Sequence, residues 1–178
     1  MVELTRSAEV SRLVARAREG DRQAFGELYR LHQPAVYRLV RFHLPPAEAE
    51  DAVAETFLRA WRALPGYRDR GVPFAAWLYG IARHVVADER RRARRTEPMA
   101  QIPDRAVGRD GEEDRLDLAA AVARLPEDQR TVVELKFLAG LRNEEVGRVL
   151  RRSPGAVNAL QWRALVTLRR LLGGGERP

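Results

Sequence analysis

LRNEEVGRVLRRSPGAVNALQWRALVTLRRLLG, residues 141–173, is the stretch whose reading decides the fold. Val146, Val149 and Leu150 recur at helical spacing, and Asn143 stands where it can cap their helix. Arg151-Arg152 follow as a turn. Ser153 then reads as an N-cap with Pro154 at the first helical position. A serine oxygen accepts an otherwise orphaned backbone N–H there, and proline, which has none to donate, fits the first turn. Val157, Ala164 and Leu168 fall on one stripe of the new helix, and Gly173 stops it. A short helix, a tight turn and a longer basic helix make a helix-turn-helix pattern, whose second helix enters the major groove.

Working outward, Leu118, Val122 and Leu125 mark a preceding helix. Pro126 opens the next one, which runs through Val133 and Phe137 to Gly140. Upstream, periodicity disappears between Thr96 and Asp114, where Pro98, Pro103, Gly108 and Gly111 are spread among acids; this reads as a linker. Before it lies a first helical block. Val10, Leu13, Val14 and Ala17 keep helical spacing up to the stop at Gly20, and Asp21 can cap the next helix. That helix carries Phe25, Leu28 and Tyr29, and Pro34 is expected to bend or restart it before Val36, Tyr37 and Val40. After Pro45-Pro46 a long helix runs from about Ala47 to Leu64, with Val53, Phe57 and Ala60 on one face. Pro65-Gly66 ends it, and a polar loop leads to Pro73 and a last helix with Phe74, Leu78, Ile81 and Val85 inward. No strand signal is convincing. The expectation is an all-α chain of two small helical domains, 1–95 and 115–178, joined by a flexible acidic linker, 96–114.

The charge follows the same division. The chain of 178 residues carries a net charge of +7, with an isoelectric point near 10.8. Basic residues exceed acidic ones by five over 21–95 and by four over 126–178, whereas acids exceed bases by three over 96–125. Two basic modules on a tether that avoids polyanions is the simplest account. Of the 32 basic residues only Lys136 is lysine, so the surface is almost wholly guanidinium, which grips phosphate in bidentate fashion and stacks on bases.

Two longer stretches carry a family resemblance. The first joins DRQAFGELYRLHQPAVYRLV (21–40) and EDAVAETFLRAWRALPGYRDRGVPFAAWLYGIARHVVADERRR (50–92). The second is LPEDQRTVVELKFLAGLRNEEVGRVLRRSPGAVNALQWRALVTLRRLL (125–172). Together, in this order and around a linker of suitable length, they resemble the two conserved regions of extracytoplasmic function (ECF) sigma factors, the small branch of the sigma-70 family. The resemblance implies a dissociable subunit that binds core RNA polymerase, recognises promoter DNA, melts it and starts transcription. It also implies an anti-sigma factor as a further partner.

The resemblance assigns roles to residues. The Ala47–Leu64 helix matches the segment that docks on core polymerase, with Asp51, Glu55, Arg59 and Arg62 on one stripe; read without the family, the stripe is a solvated face with internal ion pairs. Relatives often carry glutamine where this chain has Ala54. The segment 65–92 matches the part that opens the promoter and reads the −10 element. Aromatic and arginine side chains hold unstacked bases, which nominates Tyr67, Arg68 and Arg70 in the loop and His84, Asp88 and Arg91 on the helix. His84 stands where many relatives have asparagine. The helix after Ser153 matches the −35 reader, with Arg152, Ser153, Asn158 and Arg163 as contacts. A different helix rotation would bring Gln161 or Trp162 to the DNA instead.

Other classes find little support. The three histidines, His32, His43 and His84, have no paired metal spacing, and there is no cysteine, nucleophile motif or glycine-rich phosphate loop. No catalytic residue, metal or cofactor is therefore expected. No run is long enough to cross a bilayer, so membrane contact is not expected and the cytoplasm is the expected location. A stand-alone helix-turn-helix regulator with an N-terminal sensing or dimerisation domain is the alternative. It gives no reason for a loop rich in Tyr and Arg beside a charged docking stripe.

Overall fold

The computed structural model describes residues 2–68, 71–96 and 111–173, and among them every regular element is helical. The first block comprises α1 (Val2–Arg18), α2 (Arg22–His43), α3 (Pro46–Ala63), a 3-10 turn (Leu64–Gly66) and α4 (Phe74–Thr96). The second comprises α5 (Glu112–Ala123), α6 (Glu127–Val133), a π-helical turn (Glu134–Leu138), α7 (Asn143–Leu150) and α8 (Pro154–Gly173). Most of the expected linker lies outside the described residues.

Local chemistry explains most boundaries. Asp21 accepts hydrogen bonds from the backbone N–H groups of Gln23 and Ala24, at 2.9 and 3.0 Å, and so starts α2. These bonds, together with Arg16, hold its carboxyl below the usual range. Ser153 does the same for α8 through Ala156 N–H, at 3.2 Å. Pro34 does not restart a helix: α2 runs through it for 22 residues. An interior proline costs roughly 3 kcal/mol. Leu28, Val36, Leu39 and Val40 flank it, each at most 5% exposed. Burying an aliphatic side chain contributes about 1.5–3 kcal/mol, so the common stripe outweighs the proline.

Three further expectations are corrected. Asn143 does not cap α7 but is its first residue, after Arg142. The Arg142 backbone N–H donates to Glu145 instead, at 2.8 Å. Leu118 is exposed, and Ala119 and Val122 face inward on α5. The helix after Pro126 is not uniform, because it widens into the π turn at Glu134.

The two blocks share apolar packing. Leu28, Leu39 and Val40 of α2 belong to one buried cluster with Val132, Leu135, Leu141, Val146 and Val157 of the second block. Phe42, at the end of α2, lies in a second cluster with Val122, Leu125, Val133, Ala164 and Leu168. Each block is small enough that its own core is modest, and pooling apolar surface offsets that.

The turn between α7 and α8 is closed by Arg152 N–H donating to Gly147 C=O at 2.9 Å, with Arg151 left-handed at φ 54°. A Cβ at Gly147 would stand 2.6 Å from the Arg152 carbonyl oxygen, so only glycine fits. Gly147→Ala is therefore expected to lower stability by about 1–3 kcal/mol in spite of alanine's better helix propensity. Gly26→Ala, where a Cβ meets nothing within 4 Å, should raise stability by about 0.5–1 kcal/mol. Thermal melts of the two variants should move in opposite directions.

Candidate polymerase and nucleic-acid interfaces

The charged stripe of α3 divides into free and committed members. Asp51 and Arg62 are exposed. Arg59 bonds Glu55 on its own helix at 2.6 Å and reaches across to Asp88 of α4 at 2.7 Å; Arg91 holds the other Asp88 oxygen at 2.5 Å. The Arg59 hydrogen bond, foremost, and that of Arg91 hold the Asp88 carboxyl below its usual range. Arg59 and Asp88, assigned to separate surfaces by the sequence, are one ion-pair network that ties α3 to α4. Asp88 is accordingly not an unengaged group on a DNA-facing helix.

Tyr67, which the resemblance nominates to hold an unstacked base, is 8% exposed in the free protein. Its ring lies against Trp77 and Phe74, at centroid distances of 5.0 and 5.8 Å, and its hydroxyl donates to Val72 C=O at 3.3 Å. Burial of its ring among apolar neighbours outweighs whatever an exposed stacking surface would offer in the free protein. Arg68 and His84 are exposed, as is Arg91. Arg70 lies outside the described residues.

On α8, Val157, Ala164 and Leu168 are buried as expected, and Leu160 joins them. This sets the rotation. Asn158 and Arg163 are exposed on the flanks of the buried stripe, Gln161 is half-buried, and Trp162 points outward at 67% exposure. Asn158 and Trp162, four residues apart, share a face. Arg152 is exposed in the turn, 3.4 Å from Asp128. Asn158 also makes a side-chain contact that nothing in the helical periodicity suggests: its Oδ1 accepts from Asn143 Nδ2, and Asn143 Oδ1 accepts from Lys136 Nζ.

Glu134 is the residue that helical pattern reading overlooked. Its side chain is 2% exposed and receives hydrogen bonds from His43 of α2, at 3.1 Å, and from the Tyr79 hydroxyl of α4; Arg83 stands 3.9 Å away. Burial pushes its pKa up, but the bonds from His43 and Tyr79 and the charge of Arg83 prevail, and the carboxyl titrates below its usual range. The same pairing, after burial, drives the Tyr79 hydroxyl upward. A single acid inside the apolar run Val132-Val133-Glu134-Leu135 was the available signal, since an acid is rarely buried without partners.

Among the described residues, no group of three or more His, Asp or Glu is placed to hold a metal ion, and no helix is long and apolar enough to cross a membrane. Two basic helical modules, the second a helix-turn-helix, define a nucleic-acid-directed protein, and comparison gives its class. Residues 28–96 match the model of sigma-70 region 2, and residues 115–168 match that of sigma-70 region 4. The chain is 40% identical to the ECF RNA polymerase sigma factor BldN of Streptomyces coelicolor, over 96% of this chain and 69% of BldN. It is 38% identical to the ECF RNA polymerase sigma factor SigD of Mycobacterium tuberculosis, over 88% of this chain and 81% of SigD. Among solved structures, CnrH in complex with the cytosolic domain of CnrY superposes with a TM-score of 0.67, at 29% identity, covering 92% of this chain and 97% of CnrH. The chain belongs to the sigma-70 family, in its ECF branch.

Because the folded pKa of Glu134 is depressed, its contribution to stability is fully present above the unfolded value near 4.3 and is lost as pH falls through the folded value. Glu134→Gln should therefore lower the unfolding free energy at pH 7 by about 1.5–3 kcal/mol, the usual worth of charge-assisted hydrogen bonds. The gap from wild type should narrow below about pH 4. Denaturant titrations at several pH values give the comparison, and a gap independent of pH would contradict the assignment.

Proposed function

We propose that this chain is a promoter-specificity subunit of bacterial RNA polymerase: it binds the core enzyme, directs it to −10 and −35 promoter elements, and traps the melted −10 strand. The observation that carries the reading is the pairing, in one chain, of a region 2 match bearing the charged α3 helix with a region 4 match bearing a helix-turn-helix. A stand-alone regulator accounts for the second module and leaves the first unexplained. The subunit contributes binding energy and no catalytic group; the polymerase supplies the chemistry and its metal. It acts in the cytoplasm, where core enzyme and promoter are.

Within this reading, Asp51 and Arg62 are the exposed docking groups of α3, while Glu55 and Arg59 hold that helix to α4. Arg68, His84 and Arg91 face the −10 region. Ser153 positions α8, Arg152 meets phosphate, and Asn158, Trp162 and Arg163 face the −35 groove. A phosphate contact weakens all sequences alike, whereas a base-edge contact discriminates among them. An anti-sigma protein is the natural inhibitor; CnrH, of similar fold, is known in complex with the cytosolic domain of CnrY.

Run-off transcription with core polymerase on genomic fragments tests the whole reading: discrete start sites should appear only when the chain is added. For the docking surface, Asp51→Arg combined with Arg62→Glu should weaken co-elution with core polymerase about tenfold and leave the circular dichroism spectrum unchanged, because two interfacial charges are reversed without touching the Arg59 network. Undiminished co-elution would remove α3 from the docking surface.

A further inference from the structure

The side chain of Asn158 is not a free amide. Lys136 in the π turn donates to Asn143 Oδ1 at the start of α7, and Asn143 Nδ2 donates to Asn158 Oδ1 on the second turn of α8. The order of these donors and acceptors follows from one chemical fact. A lysine ammonium has donors and no acceptor, so it admits only the oxygen of Asn143. That turns the Asn143 amino group toward Asn158, which must answer with its own oxygen. The amino group of Asn158 is then left exposed, with Asn158 itself on the solvent side of the recognition helix.

We infer that Lys136 and Asn143 are positioning residues that set the polarity of Asn158, making it a hydrogen-bond donor toward the major groove. The inference rests on α8 being the −35 reader. An unconstrained asparagine presents oxygen and nitrogen side by side and suits adenine, which offers a donor and an acceptor. With its oxygen engaged, Asn158 instead matches guanine, which shows two acceptors, or thymine O4, and mismatches the cytosine amino group. The specificity of one −35 position is thus decided by a lysine 22 residues upstream of the asparagine that reads it.

Substitution can reverse the polarity without removing the reader. Asn143→Asp keeps an acceptor for Lys136 and, at the start of a helix, suits the dipole. An aspartate cannot donate, so Asn158 must turn its amino group inward and present oxygen to the DNA. Preference at the contacted position should change from guanine or thymine to cytosine, while adenine, which shows both a donor and an acceptor, fits either polarity. Lys136→Met releases Asn143 to turn either way and should relax the preference, whereas Lys136→Arg, still donor-only, should retain it.

The test is selection of promoters randomised across the −35 element by holoenzyme assembled from core polymerase and each variant. Wild type should favour guanine over cytosine at the contacted position by about tenfold, within the range for a base-edge contact, and Asn158→Ala should abolish this. An inverted preference with Asn143→Asp, with loss in Lys136→Met and retention in Lys136→Arg, establishes the relay. An unchanged guanine preference in both Asn143→Asp and Lys136→Met overturns it while leaving Asn158 as the reader. No change at any −35 position with Asn158→Ala overturns the inference at its root, because the reader is then another residue. Should Asn143→Asp fail to fold, as thermal melts would reveal, the Lys136→Met and Lys136→Arg pair decides the matter by itself.

Discussion

At the seam between the helical blocks lies a carboxylate almost wholly out of water, and the placement of the blocks depends on satisfying it. Glu134 belongs to the second block, while His43, Tyr79 and Arg83, which answer its charge, all belong to the first. Parting the blocks in a way that kept Glu134 dry would strand a charge, at a cost of several kcal/mol; parting them into water hydrates it and gives up the bonds. Around this point the last turn of α2 is tied down from both sides. Arg115 of α5 donates to the carbonyls of Arg41 and Phe42 at 2.7 and 2.9 Å, and Arg90 of α4 donates to that of His43 at 3.2 Å. The last carbonyls of a helix lie beyond the reach of its own N–H ladder, and guanidinium groups at a helix C-terminus also meet the negative end of its dipole. The buried acid, the capped helix end and the apolar contacts of Phe42 thus act on one small region of the fold.

The same economy joins the working surfaces. Arg59 connects the helix proposed to dock on polymerase with the helix proposed to read the −10 element, through Asp88. The two helices are thus tied to each other by an ion pair as well as by packing. In the second block the proposed positioning device runs through amides, from Lys136 outside the helix-turn-helix to Asn143 at the start of α7 and on to α8. In both places a group proposed to meet DNA, Arg91 or Asn158, is bonded by a side chain with no such proposed role.

How much of this was legible follows from where the information sits. Helix stripes are periodic, so the presence of α1 to α8 could be read directly, as could the starts at Asp21 and Ser153, where a side-chain oxygen answers backbone N–H groups within three residues. Pro34 misled because its local cost is visible in sequence, whereas the packing of Leu28 and Val36 that overrides it is tertiary. Tyr67 misled for the related reason that an aromatic in a polar loop looks available until Phe74 and Trp77 are folded against it. Glu134 and the Lys136–Asn143–Asn158 chain depend on residues far apart in sequence, and no periodicity encodes them. For Glu134 the lone charge in an apolar run was a sign that a partner existed, without saying which. The paired pattern of motifs named the family, while the individual contacts had to come from geometry.

The near absence of lysine has a practical edge. Every basic side chain except Lys136 is a guanidinium, which stays protonated at any pH a cell meets and ignores most acylating reagents. Grip on phosphate through these groups is therefore insensitive to modest acidity. Chemistry aimed at side-chain amines, whether a fluorophore, a cross-linker or an enzymatic acetyl group, finds one target in the chain, and that target is half-buried against Asn143. A label placed there would report from the turn behind the recognition helix, at the cost of the hydrogen bond it was meant to observe.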